Sequence, residues 1–194
     1  GELIAAAYTM GTAHPPGYPL YTMIAKLFTW LPVGSIAWRV NLLSGVLDAA
    51  AAVVLYAAVT RWTRSAWAGL LAGGLFAFSP LVWSYAVAAE VFALNNLFIA
   101  IVLWLAVRFQ ERPTTRTGYL LVFVLGLAAS NHHMIVLLGL PIVFWMLYHA
   151  PTTLRTGPQL LRLPGLFLLG LLPYVYLPLA ATNLSVMTWG DFSS

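Results

Sequence analysis

Few side chains in this sequence could do chemistry: five acids, four histidines and nine basic residues stand among 194. The most informative of them sits in His14-Pro15-Pro16-Gly17-Tyr18-Pro19-Leu20-Tyr21. Each proline fixes its own φ and pushes the residue before it toward extended geometry, so neither helix nor regular strand is expected through this stretch. One reading makes it a rigid interfacial loop anchored by Tyr18 and Tyr21 at headgroup depth. The other makes it a preorganised holder, in which His14 and the loop amides meet a ligand at little ordering cost.

Glu90, in Ala88-Ala89-Glu90-Val91-Phe92, is an ionisable group among apolar neighbours. Facing lipid would cost it a few kcal/mol or more, so it is expected to face a cavity or a partner such as Arg39. Asn41, Ser44 and Asp48 stand at i, i+3 and i+7, on one helical face, and read equally as an interhelical strut or as a site. Asn131-His132-His133 could bind zinc, contact a phosphate or hydroxyl, or cap a helix. Adjacent helical residues point about 100° apart, which weakens the metal reading relative to an i, i+4 pair.

The elements that hold these residues follow from composition. Hydrophobic residues make up 61% and charged residues 7%, against about a quarter charged in a soluble domain. The chain is therefore expected to be an all-α, multi-pass transmembrane helix bundle. Cysteine is absent, which removes disulfides and thiolate metal sites. The net charge of +4 is no nucleic-acid signal, because the arginines fall in short loops between apolar runs.

A helical crossing takes about 20 residues. Residues 41–60 make one such run, and 66–109 make two, broken at Ser79-Pro80 and Glu90. Residues 118–149 are interrupted by Ser130-Asn131-His132-His133, and 163–181 carry Pro164, Pro173 and Pro178, where kinks are expected. Arg61, Arg64, Arg108, Arg112, Arg116, Arg155 and Arg162 fall in three connections, which the positive-inside rule places together in the cytoplasm. Each apolar stretch between them must then cross twice, giving about six spans. Residues 1–38, the Ser79–Glu90 turn, the Asn131–His133 turn and the 182–194 tail share the outer face. Lys26 and Arg39 are the basic residues expected there. The division is thus an outer loop over 1–38, a bundle over 39–181 and an outer tail over 182–194. Glycines 69, 73 and 74 read as small-residue helix packing, and Trp30, Trp38, Trp62, Trp67, Trp83 and Trp189 as an interfacial belt. The chain reads as an internal piece of a longer protein, with a span expected upstream.

Gly1-Glu2-Leu3-Ile4, the 14–21 segment, Arg39-Val40-Asn41-Leu42-Leu43-Ser44, Glu90-Val91-Phe92-Ala93-Leu94-Asn95, Asn131-His132-His133 and Trp189-Gly190-Asp191 together resemble one membrane family. That family was long catalogued as a domain of unknown function, and its animal relatives are protein O-mannosyltransferases of the endoplasmic reticulum. It resembles in turn the GT-C class of membrane glycosyltransferases. The resemblance covers nearly the whole chain. It implies a polyprenyl- or dolichyl-phosphate sugar donor, a protein or glycan hydroxyl acceptor, and an acidic residue in the first outer loop. The family pattern carries an acid just before the Gly-Glu pair, so Glu2 is either the catalytic carboxylate or its neighbour.

Transfer from a lipid phosphate needs a carboxylate to take the acceptor's proton and cations or donors to hold the departing phosphate. Glu2 or Glu90 would supply the first. His14, Tyr18, Lys26, Arg39, Asn131, His132, His133 and Asp191 would bind substrate. A divalent metal is compatible with this set but not required by it, and no metal ligand is assigned. Membrane lipids, and a larger membrane complex, are the remaining expected partners. A bacterial plasma membrane is the expected location ahead of the endoplasmic reticulum. A transporter or flippase, for which Asp48 speaks, and a non-catalytic subunit are the competing readings.

Overall fold

The computed structural model describes residues 1–150 and 156–182. They form ten α-helices: α1 (Glu2–Thr9), α2 (Pro19–Phe28), α3 (Ile36–Thr63), α4 (Ala66–Ala77), α5 (Pro80–Ala86), α6 (Phe92–Glu111), α7 (Thr115–Asn131), α8 (Ile135–His149), α9 (Gly157–Gly170) and α10 (Tyr176–Thr182), the last two joined by a 3-10 turn at Leu172–Val175. The all-helical expectation holds. The region read as a stiff outer loop carries two helices, α1 and α2, and its irregular parts are residues 10–18 between them and 29–35 after them. Proline explains the start of α2: Pro19 takes the first helical position, where its missing N–H would have had no partner.

Helix ends follow local chemistry. Ser35, Ser65 and Thr114 cap α3, α4 and α7, each accepting a hydrogen bond from the backbone N–H three residues on. The 28 residues of α3 rise about 42 Å, more than the hydrocarbon needs, so its ends project beyond it.

Contacts give each helix its direction. Asp48 meets Asn96 and Arg61 meets Glu111, so α3 and α6 run parallel. Between them α4 returns alongside α3, Gly69 lying on Tyr56 and Gly73 on Ala52. Asn131 reaches back to Val91, so α7 returns against α6, and Gly139 of α8 packs on Leu125 of α7. Tyr119 bonds Gln159 and Tyr174 bonds Ala129, which sets α9 parallel to α7. The helical legs therefore alternate in direction, as the arginine parity requires.

Length qualifies fewer of them. Among the described residues α3 and α6 are long and apolar enough to cross a membrane alone. Four legs qualify if α4 with α5, bent by 59°, and α9 with the segment after it, bent by 44°, each count as one. The expected six is not reached on this measure, because α7 and α8 are only 17 and 15 residues long. The α4–α5 bend falls at Ser79-Pro80, where proline removes a hydrogen-bond donor. In the last leg the break comes at Leu171–Pro173, while Pro164 is accommodated inside α9.

Close approach of helices rests on glycine. A Cβ on Gly69 would lie 2.7 Å from the Tyr56 carbonyl, and one on Gly170 would lie 2.7 Å from the Gly126 Cα. Small residues let backbones pack at this range where lipid supplies no hydrophobic drive between helices. Val40, Leu43 and Leu47 of α3, Leu94, Phe98, Val102 and Leu105 of α6, and Leu121 and Leu125 of α7 fill the core. Trp30, Trp38, Trp62, Trp67 and Trp83 are exposed, as a belt requires. Trp189 and Arg155 lie outside the described residues.

Candidate active site at the end of the bundle away from the arginines

The 14–18 turn is closed by the Gly17 N–H donating to the His14 carbonyl, 2.8 Å, around a cis Pro15-Pro16 bond. Gly17 has φ +89, and a side chain there would strike Leu177 of α10. Tyr18 follows with φ 43, a left-handed conformation unusual for an aromatic residue. The outcome is a Tyr18 side chain turned back onto His14. Strained backbone of this kind persists where the surroundings over-determine it. Here α10 lies against the turn, the Tyr176 hydroxyl donating to the Gly11 carbonyl at 2.9 Å.

A polar chain results. Glu2, in the first turn of α1, accepts the His14 backbone N–H on Oε1 and faces His14 Nδ1 with Oε2 at 2.9 Å. The other imidazole nitrogen, Nε2, lies 3.1 Å from the Tyr18 hydroxyl. With Nδ1–H turned to the carboxylate, Nε2 accepts the phenolic proton, which is a carboxylate–imidazole–hydroxyl relay. The Tyr18 ring stacks on His132, centroids 6.0 Å apart, and His132 stacks on His133 at 5.1 Å. Phe92 closes on His132 at 5.7 Å.

Burial, then the charges of Glu2 and Glu90 and the neighbouring Tyr174, raises the Tyr18 pKa, so its phenol keeps its proton. Glu90 precedes Val91, whose carbonyl takes Asn131 Nδ2, and Phe92, whose ring lies on His132, so its backbone runs beside the cluster. It is half-buried, and among the described residues it has no ion pair or hydrogen bond. The expected pairing with Arg39 is not made.

His132 caps α7 in extended backbone, φ −152, rather than continuing the helix, so its ring lies parallel to that of exposed His133. His132 Nδ1 accepts the Met134 N–H at 3.3 Å, which leaves Nε2–H as the free donor of the neutral ring. Burial and the adjacent His133 lower its pKa. A depressed histidine favours the fold in its neutral form, so this contribution is full above about 6.5 and is lost as pH falls toward the lowered value. The expected result is an acid-side fall in thermal stability that His132→Gln abolishes, read as melting temperature between pH 7.5 and 5.

Other candidates have structural work. Asn131, 1% exposed, ties α7 to α6 through its Nδ2 and the Val91 carbonyl, 3.2 Å. The Lys26 ammonium donates to the Tyr8 carbonyl at 2.6 Å and lies over the Tyr8 ring. Arg39 spends its guanidinium on the Thr29, Val33 and Gly34 carbonyls, at 2.8, 2.6 and 2.9 Å, holding the α2–α3 connection. Any phosphate role for Lys26 or Arg39 competes with these bonds. Arg39→Gln is expected to cost about 2 kcal/mol of stability, measured by thermal unfolding. Asp48 is held by Asn96 Nδ2 at 2.9 Å, a strut between α3 and α6. Asp191 lies outside the described residues, and among those described no group of three or more His, Cys, Asp or Glu could hold a metal. Phe92 and Tyr174 were not expected at the site. Neither residue's spacing links it to residue 18.

Fold and site define a polytopic helical membrane domain with a carboxylate–imidazole–phenol cluster at one end of its bundle. The chain belongs to the family described as Protein O-mannosyl-transferase TMEM260 N-terminal domain, whose sequence model matches residues 1–156. It is similar to Protein O-mannosyl-transferase TMEM260 of Mus musculus, 46% identical over 198 residues, covering 98% of this chain and 28% of the relative. It is also similar to Protein O-mannosyl-transferase tmem260 of Dictyostelium discoideum, 33% identical over 212 residues, 100% of this chain and 26% of the relative. The chain thus spans just over a quarter of the length of these curated relatives. No solved structure matches it.

Proposed function

We propose that this chain is the donor- and acceptor-activating part of a membrane O-mannosyltransferase that moves the sugar from a polyprenyl- or dolichyl-phosphate carrier to a protein hydroxyl. The observation that carries the reading is the Glu2–His14–Tyr18–His132 chain, with Glu90, which has no ion pair among the described residues, two positions before the Phe92 that closes on it. Both oxygens of Glu2 are engaged by His14, so Glu2 positions the imidazole, and Glu90 is the carboxylate free to act as base. Glu90 takes the acceptor hydroxyl proton as that oxygen bonds to the anomeric carbon. The bond from this carbon to the phosphate oxygen breaks, and the lipid phosphate leaves with the electron pair. The His132 Nε2–H is a donor suited to the charge growing on that phosphate, while the Tyr18 hydroxyl, whose one proton goes to His14 Nε2, fixes the ring that His132 stacks on.

An apolar cavity of about 400 Å³ between α7, α8 and α9 supports a lipid-linked donor. Its lining includes Val122, Ile135, Val136, Leu140, Val143 and Phe167, and Ile135 stands three residues after His132. An isoprenoid tail is the occupant that such a lining suits. The reading puts the reaction on the extracytoplasmic or luminal face, since the arginines gather at the other end. Both named relatives come from eukaryotes.

The test is transfer of labelled mannose from a polyprenyl-phosphate donor to an acceptor protein by the full-length enzyme in detergent. His14→Ala removes the link between Glu2 and Tyr18, and turnover is expected to fall about 100-fold or more. Parent-like transfer by this variant would overturn the assignment of the site. A parent that transfers no sugar from a panel of such donors would overturn the reaction.

A further inference from the structure

We propose that the opposite end of the bundle carries a binding site for a phosphate-bearing lipid headgroup. A recess of about 740 Å³ opens there between the ends of α3 and α6 and the start of α7. Arg61, Arg64, Arg108, Arg112 and Arg116 line it, five of the nine basic residues in the chain. Its one carboxylate, Glu111, is taken by Arg61, with both Nε and Nη2 at 2.6 Å. Among the described residues the other four guanidinium groups have no carboxylate partner, Arg108 lying over the Trp104 ring.

Topogenic arginines need only lie on one side of the membrane, and mutual repulsion would spread them. Here three separate helix ends aim theirs into the same space. The first turn of 17-residue α7 opens on it as well, capped by Thr114, and its N-terminal dipole favours an anion. Guanidinium groups hold phosphate oxygens in pairs, which a multiply charged headgroup would satisfy. The recess also has an apolar side. Leu105 and Leu120 line it, and Leu120 is exposed on the bundle surface. A free phosphate has no use for that side, whereas the acyl portion of a phospholipid does. Basic pockets between membrane helices recognise headgroups in this way.

The experiment uses the full-length protein in detergent, with native mass spectrometry and titration of a short-chain phosphatidylinositol phosphate. Retention of the phosphorylated lipid over phosphatidylcholine is expected. Arg64→Gln, Arg112→Gln and Arg116→Gln together leave the Arg61–Glu111 pair intact and are expected to weaken binding about 100-fold. Glu111→Gln frees Arg61 and removes the one negative charge, so it should tighten binding, an effect that a merely structural role for these residues would not produce. Equal retention by the triple variant, with its melting temperature unchanged, would overturn the site. Weaker binding by Glu111→Gln would overturn the charge argument. Displacement of the lipid by pyrophosphate at equal concentration would overturn the lipid as occupant, and displacement by an acidic peptide from elsewhere in the full-length chain would do the same.

Discussion

Glu90→Gln in the full-length protein should lower sugar transfer about 10²–10⁴-fold while leaving donor affinity and melting temperature near those of the parent. The amide keeps the size and polarity of the side chain and loses only the ability to take a proton. Because Glu90 makes no ion pair or hydrogen bond among the described residues, nothing structural is surrendered with its charge. Glu2→Gln should behave differently. Its carboxylate accepts both the backbone and the ring N–H of His14, so an amide places one N–H against a donor and loosens the turn. That variant should lose stability and activity together, by about 1–3 kcal/mol in the first. The pair of assays separates a base from a positioning group. Undiminished transfer by Glu90→Gln would assign proton removal elsewhere.

Gly126→Val should unfold the bundle under conditions the parent survives, by about 3 kcal/mol or more in detergent denaturation. A Cβ at residue 126 would lie 3.0 Å from the Gly170 Cα and closer still to the Phe167 carbonyl, and backbone cannot swing aside as a side-chain tip can. Gly165→Ala, one turn away on α9, supplies the contrast. No atom lies within 4 Å of a Cβ built there, so alanine should be neutral or stabilising by up to about 1 kcal/mol. If both substitutions cost the same, helix propensity rather than the α7–α9 crossing sets stability in this region.

Much of the architecture was legible because its cause is local. Apolar runs bounded by arginines define legs and their alternation, and Ser79-Pro80 marks its own bend. The helices in 1–38 were not legible: α1 has eight residues and α2 ten, too short for a periodic signal beside four prolines. Parity alone gathered Glu2, His14, Glu90 and His132 at one end of the bundle. What it does not carry is pairing. The Tyr18 ring reaches His14 and His132 from a left-handed backbone, in a turn packed against α10 more than 150 residues on. Likewise, the positive charge of Arg39 is plain in the sequence, but the three carbonyls that occupy it belong to a turn whose shape emerges only on folding.

The stacking of Tyr18 on His132 has a consequence for biosynthesis. The two residues are 114 positions apart, so at about 5–20 residues per second the ribosome completes the second roughly 6–23 s after the first. Glu2, His14 and Tyr18 can associate during that interval, yet their aromatic neighbour reaches them only when α7 has returned to their side of the membrane. Proper closure of this cluster therefore reports that insertion of the intervening legs has succeeded. A nascent chain with one of those legs misthreaded would deliver His132 to the wrong side and leave the Tyr18 ring uncovered, a defect that quality-control machinery could read before the remainder of the protein is made.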